Sequence, residues 1–107
     1  MYTRIVTFRL DGPSHEAYVA QADAIADAFA AWRGLLSKVW LADPHTGRYG
    51  GVYVFESKAH ADASRQSPEF LSLMCLPTFA NVRVDEFEVL DDPTAITGGP
   101  LSAWVAA

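Results

Sequence analysis

From Tyr2 to Leu10, β-branched and aromatic residues mix with polar ones, which predicts a strand. Asp11-Gly12-Pro13-Ser14 breaks it, and Pro13 or Ser14 can open a helix. In the Ala-rich stretch from His15 to Arg33, Tyr18, Ala22, Ile25, Phe29 and Trp32 fall on one helical face. Gly34 ends that helix. Leu35 to Ala42 and Tyr49 to Phe55 read as strands joined through the turn chemistry of Asp43-Pro44-His45-Thr46-Gly47, a hairpin. Ser57 caps a second helix over about 58–66, and Ser67-Pro68-Glu69 turns into a short helix over 70–76, which Pro77 closes. Val82 to Leu90 is a fourth strand.

The order βαββαβ predicts an α+β, ferredoxin-like domain over residues 1–97, a four-stranded antiparallel sheet with helices on one face. Residues 98–107 form a tail. Pro93 to Thr97 is expected as an extended arm, Gly98-Gly99-Pro100 as a hinge, and Trp104 as an apolar tip that docks on a partner.

The hairpin does not alternate in the way a half-wetted sheet should. Leu35, Leu36, Val39, Trp40 and Leu41 are apolar on both parities, and the strand from Tyr49 to Phe55 has no charge. Helices from a chain this small cover one face only. The expected cover for the other is a second copy, packed sheet to sheet about a two-fold axis.

The chain has 107 residues and a formal net charge of −5, with eight scattered Lys and Arg. A nucleic-acid partner is not expected, because no basic stripe displaces counterions. Nor is a membrane, since Gln21, Asp23 and Asp27 interrupt the longest apolar stretch and the N-terminus has no apolar leader core. A single cysteine, Cys75, fits a reducing cytoplasm.

No glycine-rich phosphate loop, metal-ligand spacing or GxSxG elbow occurs, so neither cofactor nor metal is expected. What remains is a sheet lined with aromatics. With a five-residue turn, Trp40 faces Gly50 and Ser37 faces Tyr53, leaving room beside the large rings for a flat ligand; tight packing at a subunit interface is the alternative. Lys38 lies mid-strand among apolar residues. It can guard a sheet edge, pair with Asp85, Glu86 or Glu88 of a partner, or lose its proton on burial and act as a base. His60 is a general base if it points inward and solvated otherwise, while His45 sits in the solvated turn. Arg83 and Asp85 share a strand face and can pair, and Arg9 can orient an anionic group.

Leu10-Asp11-Gly12-Pro13, Gly34 to Trp40, Gly50 to Phe55, and Phe87 to Leu90 through Pro93-Thr94 together resemble the YdhR-like monooxygenases of the dimeric α/β-barrel superfamily. The resemblance runs in order over nearly the whole chain to about Thr97. It implies a homodimer whose two sheets form a barrel. The superfamily includes cofactor-free oxygenases of polycyclic phenols, haem-degrading enzymes, isomerases and polyketide cyclases. The haem-degrading members carry an Asn on strand one, a Trp on strand three and a His on the second helix. Here Thr7 and Phe8, then Tyr53 or Phe55, stand at the first two places, and only His60 matches, which disfavours haem.

The resulting expectation is a cofactor-independent monooxygenase acting on a small electron-rich aromatic. His60 or Lys38 is the base, and Trp40, Tyr53, Phe55 and Arg9 contact the substrate. A cyclase or isomerase using the same base, or a ligand-binding homodimer without catalysis, remains open. Fold alone does not choose among them. A space beneath the helices filled by Tyr18, Phe29, Phe55 and Leu73 would favour the last.

Overall fold

The computed structural model describes residues 1–99. Its elements are β1 (Tyr2–Leu10), α1 (His15–Ala30), β2 (Leu35–Asp43), β3 (Arg48–Phe55), α2 (Lys58–Ser64), α3 (Pro68–Cys75), β4 (Phe79–Glu88) and α4 (Asp91–Ile96). The four strands form one antiparallel sheet in the order β2-β3-β1-β4. This is the ferredoxin-like arrangement expected from the order of the elements.

Local chemistry starts each helix. The hydroxyls of Ser14, Ser57 and Ser67 accept the backbone N–H groups of Ala17, His60 and Phe70, satisfying donors that the first turns of α1, α2 and α3 leave open. The core lies between the sheet and the helices. Val6, Phe8, Tyr53 and Phe55 from the central strands meet Phe29 of α1 and Ala61 of α2. Gly34, at φ +80°, packs against the ring of His60 so closely that a Cβ there would collide with it.

Two expectations are corrected. The β2–β3 turn leaves four residues, Pro44 to Gly47, outside the ladder, because Asp43 already pairs with Arg48. Gly47, at φ +76°, donates its N–H to the Asp43 carbonyl at 2.9 Å and closes the turn early. The register therefore moves by one. Trp40 faces Gly51 rather than Gly50, Lys38 faces Tyr53, and Ser37 faces Val54.

The segment expected to extend past β4 is instead the short helix α4. Asp91 and Asp92 in its first turn favour the positive end of the helix, and Asp91 also binds the Met1 ammonium at 3.0 Å. The expectations for Pro100 and Trp104 lie outside the described residues.

Candidate active site

The antiparallel register lays side chains in rows across the sheet. One row on the helix-covered face runs Lys38, Tyr53, Arg4, Glu86, and the next runs Trp40, Gly51, Val6, Val84. Above them, between the sheet and helices α1 and α3, lies a cavity of about 550 Å³. Its walls are Val6 and Phe8 of β1, Tyr18, Ile25 and Phe29 of α1, Lys38 and Trp40 of β2, Gly51 and Tyr53 of β3, and Glu69, Phe70 and Leu73 of α3. Tyr18, Phe29 and Leu73 thus border an open space rather than filling it.

Lys38 is the focal group. Its Nζ lies 3.3 Å from the centroid of the Phe29 ring, 3.4 Å from that of Trp40 and 4.7 Å from that of Tyr53. Phe29 and Trp40 meet edge to face at 5.4 Å, so their two faces form a corner around the amine. Among the described residues no carboxylate pairs with it. Burial drives its pKa down to about 7. The ring faces act against this by attracting the ammonium, and the amine is left titrating near neutrality.

The phenols of the cavity behave in the opposite sense. Burial pushes Tyr18 up to about 12, with Tyr49 adding to the shift. Tyr53 is pushed up as well, chiefly by burial and then by Tyr18, against the opposing influence of Arg4. Both hydroxyls stay protonated near neutrality and can donate to a ligand oxygen.

Trp32 braces the site from behind. It stacks on Tyr53 at 5.9 Å and 13°, and its Nε1 donates to Glu69 Oε1 at 2.7 Å, fixing a carboxylate on the cavity wall. Glu69 was legible in the sequence only as part of a turn. Its inward aim depends on where α3 packs, and nothing in its spacing signals that.

Arg4 is a second residue that spacing does not reveal. It is 0% exposed, between the rings of Phe55 and Phe70. Its guanidinium donates to Glu86 Oε2 at 2.7 Å, Ser64 Oγ at 2.8 Å and the Ala61 carbonyl at 2.7 Å. Each of its three nitrogens has a partner, and this network ties α2 to the sheet.

The candidates drawn from the sequence therefore separate. Lys38, Trp40 and Tyr53 come together on the cavity wall. Phe55 is fully buried behind it, stacked on Tyr53 at 6.2 Å. His60 lies away from the cavity, its Nδ1 2.8 Å from Ser57 Oγ and its Nε2 3.8 Å from Glu56. Arg9 is exposed, and strand alternation turns it to the opposite face from Phe8 and Leu10. Within the chain, Asp85 pairs with Arg83 at 2.8 Å and Glu86 with Arg4 and Arg65, while Lys38 lies among rings.

Residues 5–100 match the sequence profile of the family described as "Putative mono-oxygenase ydhR". The chain belongs to the YdhR mono-oxygenase family. Its solved neighbours share the fold. Rv0793 from Mycobacterium tuberculosis is 21% identical, with a TM-score of 0.66 over 85% of this chain and 96% of that one. A variant of SnoaB, a cofactor-independent oxygenase from Streptomyces nogalater, is 17% identical, with a TM-score of 0.65 over 84% and 93%. A variant of MhuD, with two manganese protoporphyrin IX molecules per active site, is 20% identical, with a TM-score of 0.66 over 86% and 97%. No curated protein matches the sequence. The Lys38 row and the cavity above it are the candidate site of this YdhR-family chain.

Proposed function

We propose that this YdhR-family protein is a cofactor-independent monooxygenase acting on a small electron-rich phenol. The observation carrying the reading is a lone desolvated amine, Lys38, in the corner of an aromatic cavity. A flat phenol fits the cavity that Trp40 borders, and the hydroxyls of Tyr18 and Tyr53, held protonated by burial, donate to its oxygens. Neutral Lys38 removes the phenolic proton. The phenolate passes one electron to O₂, the radical pair joins at a ring carbon as a peroxide, and loss of water leaves a quinone. One O₂ is consumed and one water released per substrate.

Haem is a poor occupant of the same space, because among the described residues no His, Cys or Met lines the cavity and His60 is held outside it. Among the described residues, no helix is long and apolar enough to cross a membrane. A reducing, cytoplasmic setting remains our reading, on the strength of the single thiol.

The working unit of this proposal is a homodimer. Ile5, Val39, Leu41, Val52 and Phe87 share the sheet face away from the helices, with Val39 38% and Phe87 54% exposed. An apolar surface of this kind is what a second sheet would cover. On the same face, Ser37 Oγ is buried without a hydrogen-bond partner among the described residues.

An oxygen electrode tests the chemistry. Purified protein with a panel of dihydroxy-aromatics is expected to take up one O₂ per quinone formed, and Lys38→Met to abolish uptake. No uptake above background across the panel rejects the oxygenase reading, and turnover under argon replaces it with proton-transfer chemistry. Sedimentation tests the dimer, which a single-subunit mass at micromolar concentration overturns.

A further inference from the structure

We propose that Lys38 is also a carbonyl-capturing nucleophile, forming a reversible imine with aromatic aldehydes that enter the cavity. The inference goes beyond the oxygenase reading and needs no oxygen. It rests on a spatial coincidence: a primary amine, an apolar cavity large enough for a monocyclic or bicyclic ligand, and a floor of ring faces on which an aryl group can stack.

A surface lysine is a poor nucleophile near neutrality because its nitrogen lone pair is held by a proton and by water. Both are weakened here. No carboxylate among the described residues pairs with Lys38, so ring faces alone attract its ammonium in place of water and a counter-ion. Desolvation in an apolar pocket is how amines are prepared for imine chemistry. Gly51, directly beneath the side chain, leaves Cε space to swing toward the cavity.

The other titratable groups on the cavity wall leave the amine free. Tyr18 and Tyr53 remain protonated phenols, and the Glu69 carboxylate accepts the Trp32 Nε1–H.

The step balances without a co-reactant. The neutral Nζ forms a bond to the aldehyde carbon, the carbonyl oxygen takes up the amine's two protons through a carbinolamine, and one water leaves. The C=N bond replaces the C=O bond, and hydrolysis reverses it. The product imine is apolar when neutral and suits the cavity better than the ammonium does.

Lys58 is the built-in control. It is the other lysine of the chain and is exposed, with its ammonium 2.9 Å from Asp62. Protein under argon is incubated near neutral pH with 4-methoxybenzaldehyde and cyanoborohydride, which reduces the imine to a stable secondary amine, and the sites are mapped by peptide mass. Lys38 is expected to label roughly tenfold or more faster than Lys58. The non-carbonyl analogue 4-methylanisole should protect Lys38 alone, a measurement on the unmodified chain that does not depend on a variant folding. Lys38→Met should lose the fast adduct and keep the slow ones.

Labelling of Lys38 no faster than Lys58, or fast labelling that the analogue does not slow, overturns the proposal. The outcome is separable from that of the oxygenase reading. Selective labelling with a silent oxygen electrode removes that reading and leaves this one, and oxygen uptake without selective labelling does the reverse.

Discussion

Gly51 and Lys38 occupy one another's space: a Cβ on Gly51 would lie 3.0 Å from Lys38 Cε and 3.3 Å from Tyr53 Cε1. Bare backbone at Gly51 lets the lysine stem lie across the sheet and bring its amine into the aromatic corner. A residue in the middle of β3 thereby sets where the amine of a residue on the edge strand β2 lies.

Gly51→Ala should therefore displace Lys38 more than it harms the fold. The clashing atoms belong partly to a flexible side chain, so the expected loss of stability is about 1–2 kcal/mol. The displaced amine regains water, and its pKa should move back toward the ordinary lysine range. Near-neutral activity and aldehyde labelling should fall together, with a pH profile shifted upward. An unshifted profile would show that Gly51 does not set the position of Lys38.

Stability should change with pH in a direction set by Lys38. Its folded pKa is about 7 against an ordinary 10.5, so between these values the unfolded chain holds more protons and stability rises with pH. Below about pH 7 the full cost of burying the ammonium is present. Lys38→Met removes that cost and should stabilise the protein there. The advantage should fade as pH rises toward 10.5. Urea titrations across this range give the curve, and a constant difference would contradict the assignment.

The Arg4–Glu86 pair predicts acid sensitivity of the same sign in a lower pH range. Burial alone would raise the Glu86 carboxyl, but hydrogen bonds from Arg4 and Arg65, together with their charges, outweigh it and hold the group below its usual range. A depressed folded pKa contributes stability that is present above the ordinary carboxylate value and is lost as pH falls through the folded one. Glu86→Gln leaves the fully buried Arg4 without its anion and should cost about 2–4 kcal/mol at neutral pH. It should also remove this part of the acid transition, which chemical denaturation at pH 3 and pH 7 would reveal.

Gly34 and His60 should be energetically coupled. Gly34→Ala drives a methyl group into the His60 ring and places Ala at φ +80°, an expected loss of about 3 kcal/mol. Adding His60→Ala removes the collision and leaves only the backbone strain, so the double variant should recover a large share of the loss. Because His60 lies off the cavity, His60→Ala alone should leave oxygen uptake unchanged. A large drop in turnover would return His60 to the list of bases.

The order of elements, the helical stripe from Tyr18 to Phe29 and the placing of Lys38 beside Trp40 on one strand face were all determined by the sequence, because periodicity and turn chemistry act over a few residues. What lies opposite what was not. The hairpin register turned on whether Gly47 closes the turn one residue sooner, and Asp91-Asp92-Pro93 could open a helix as readily as end a strand. Only the tertiary structure decided that His60 packs under Gly34, that Arg9 faces away from the cavity, and that Arg4 and Glu69 point inward. Each depends on a helix or strand distant in sequence that supplies a hydrogen-bond partner or takes the space. The chain's local pattern shows that an amine lies among aromatics, and the packing of α1 and α3 over the sheet encloses that amine in a cavity.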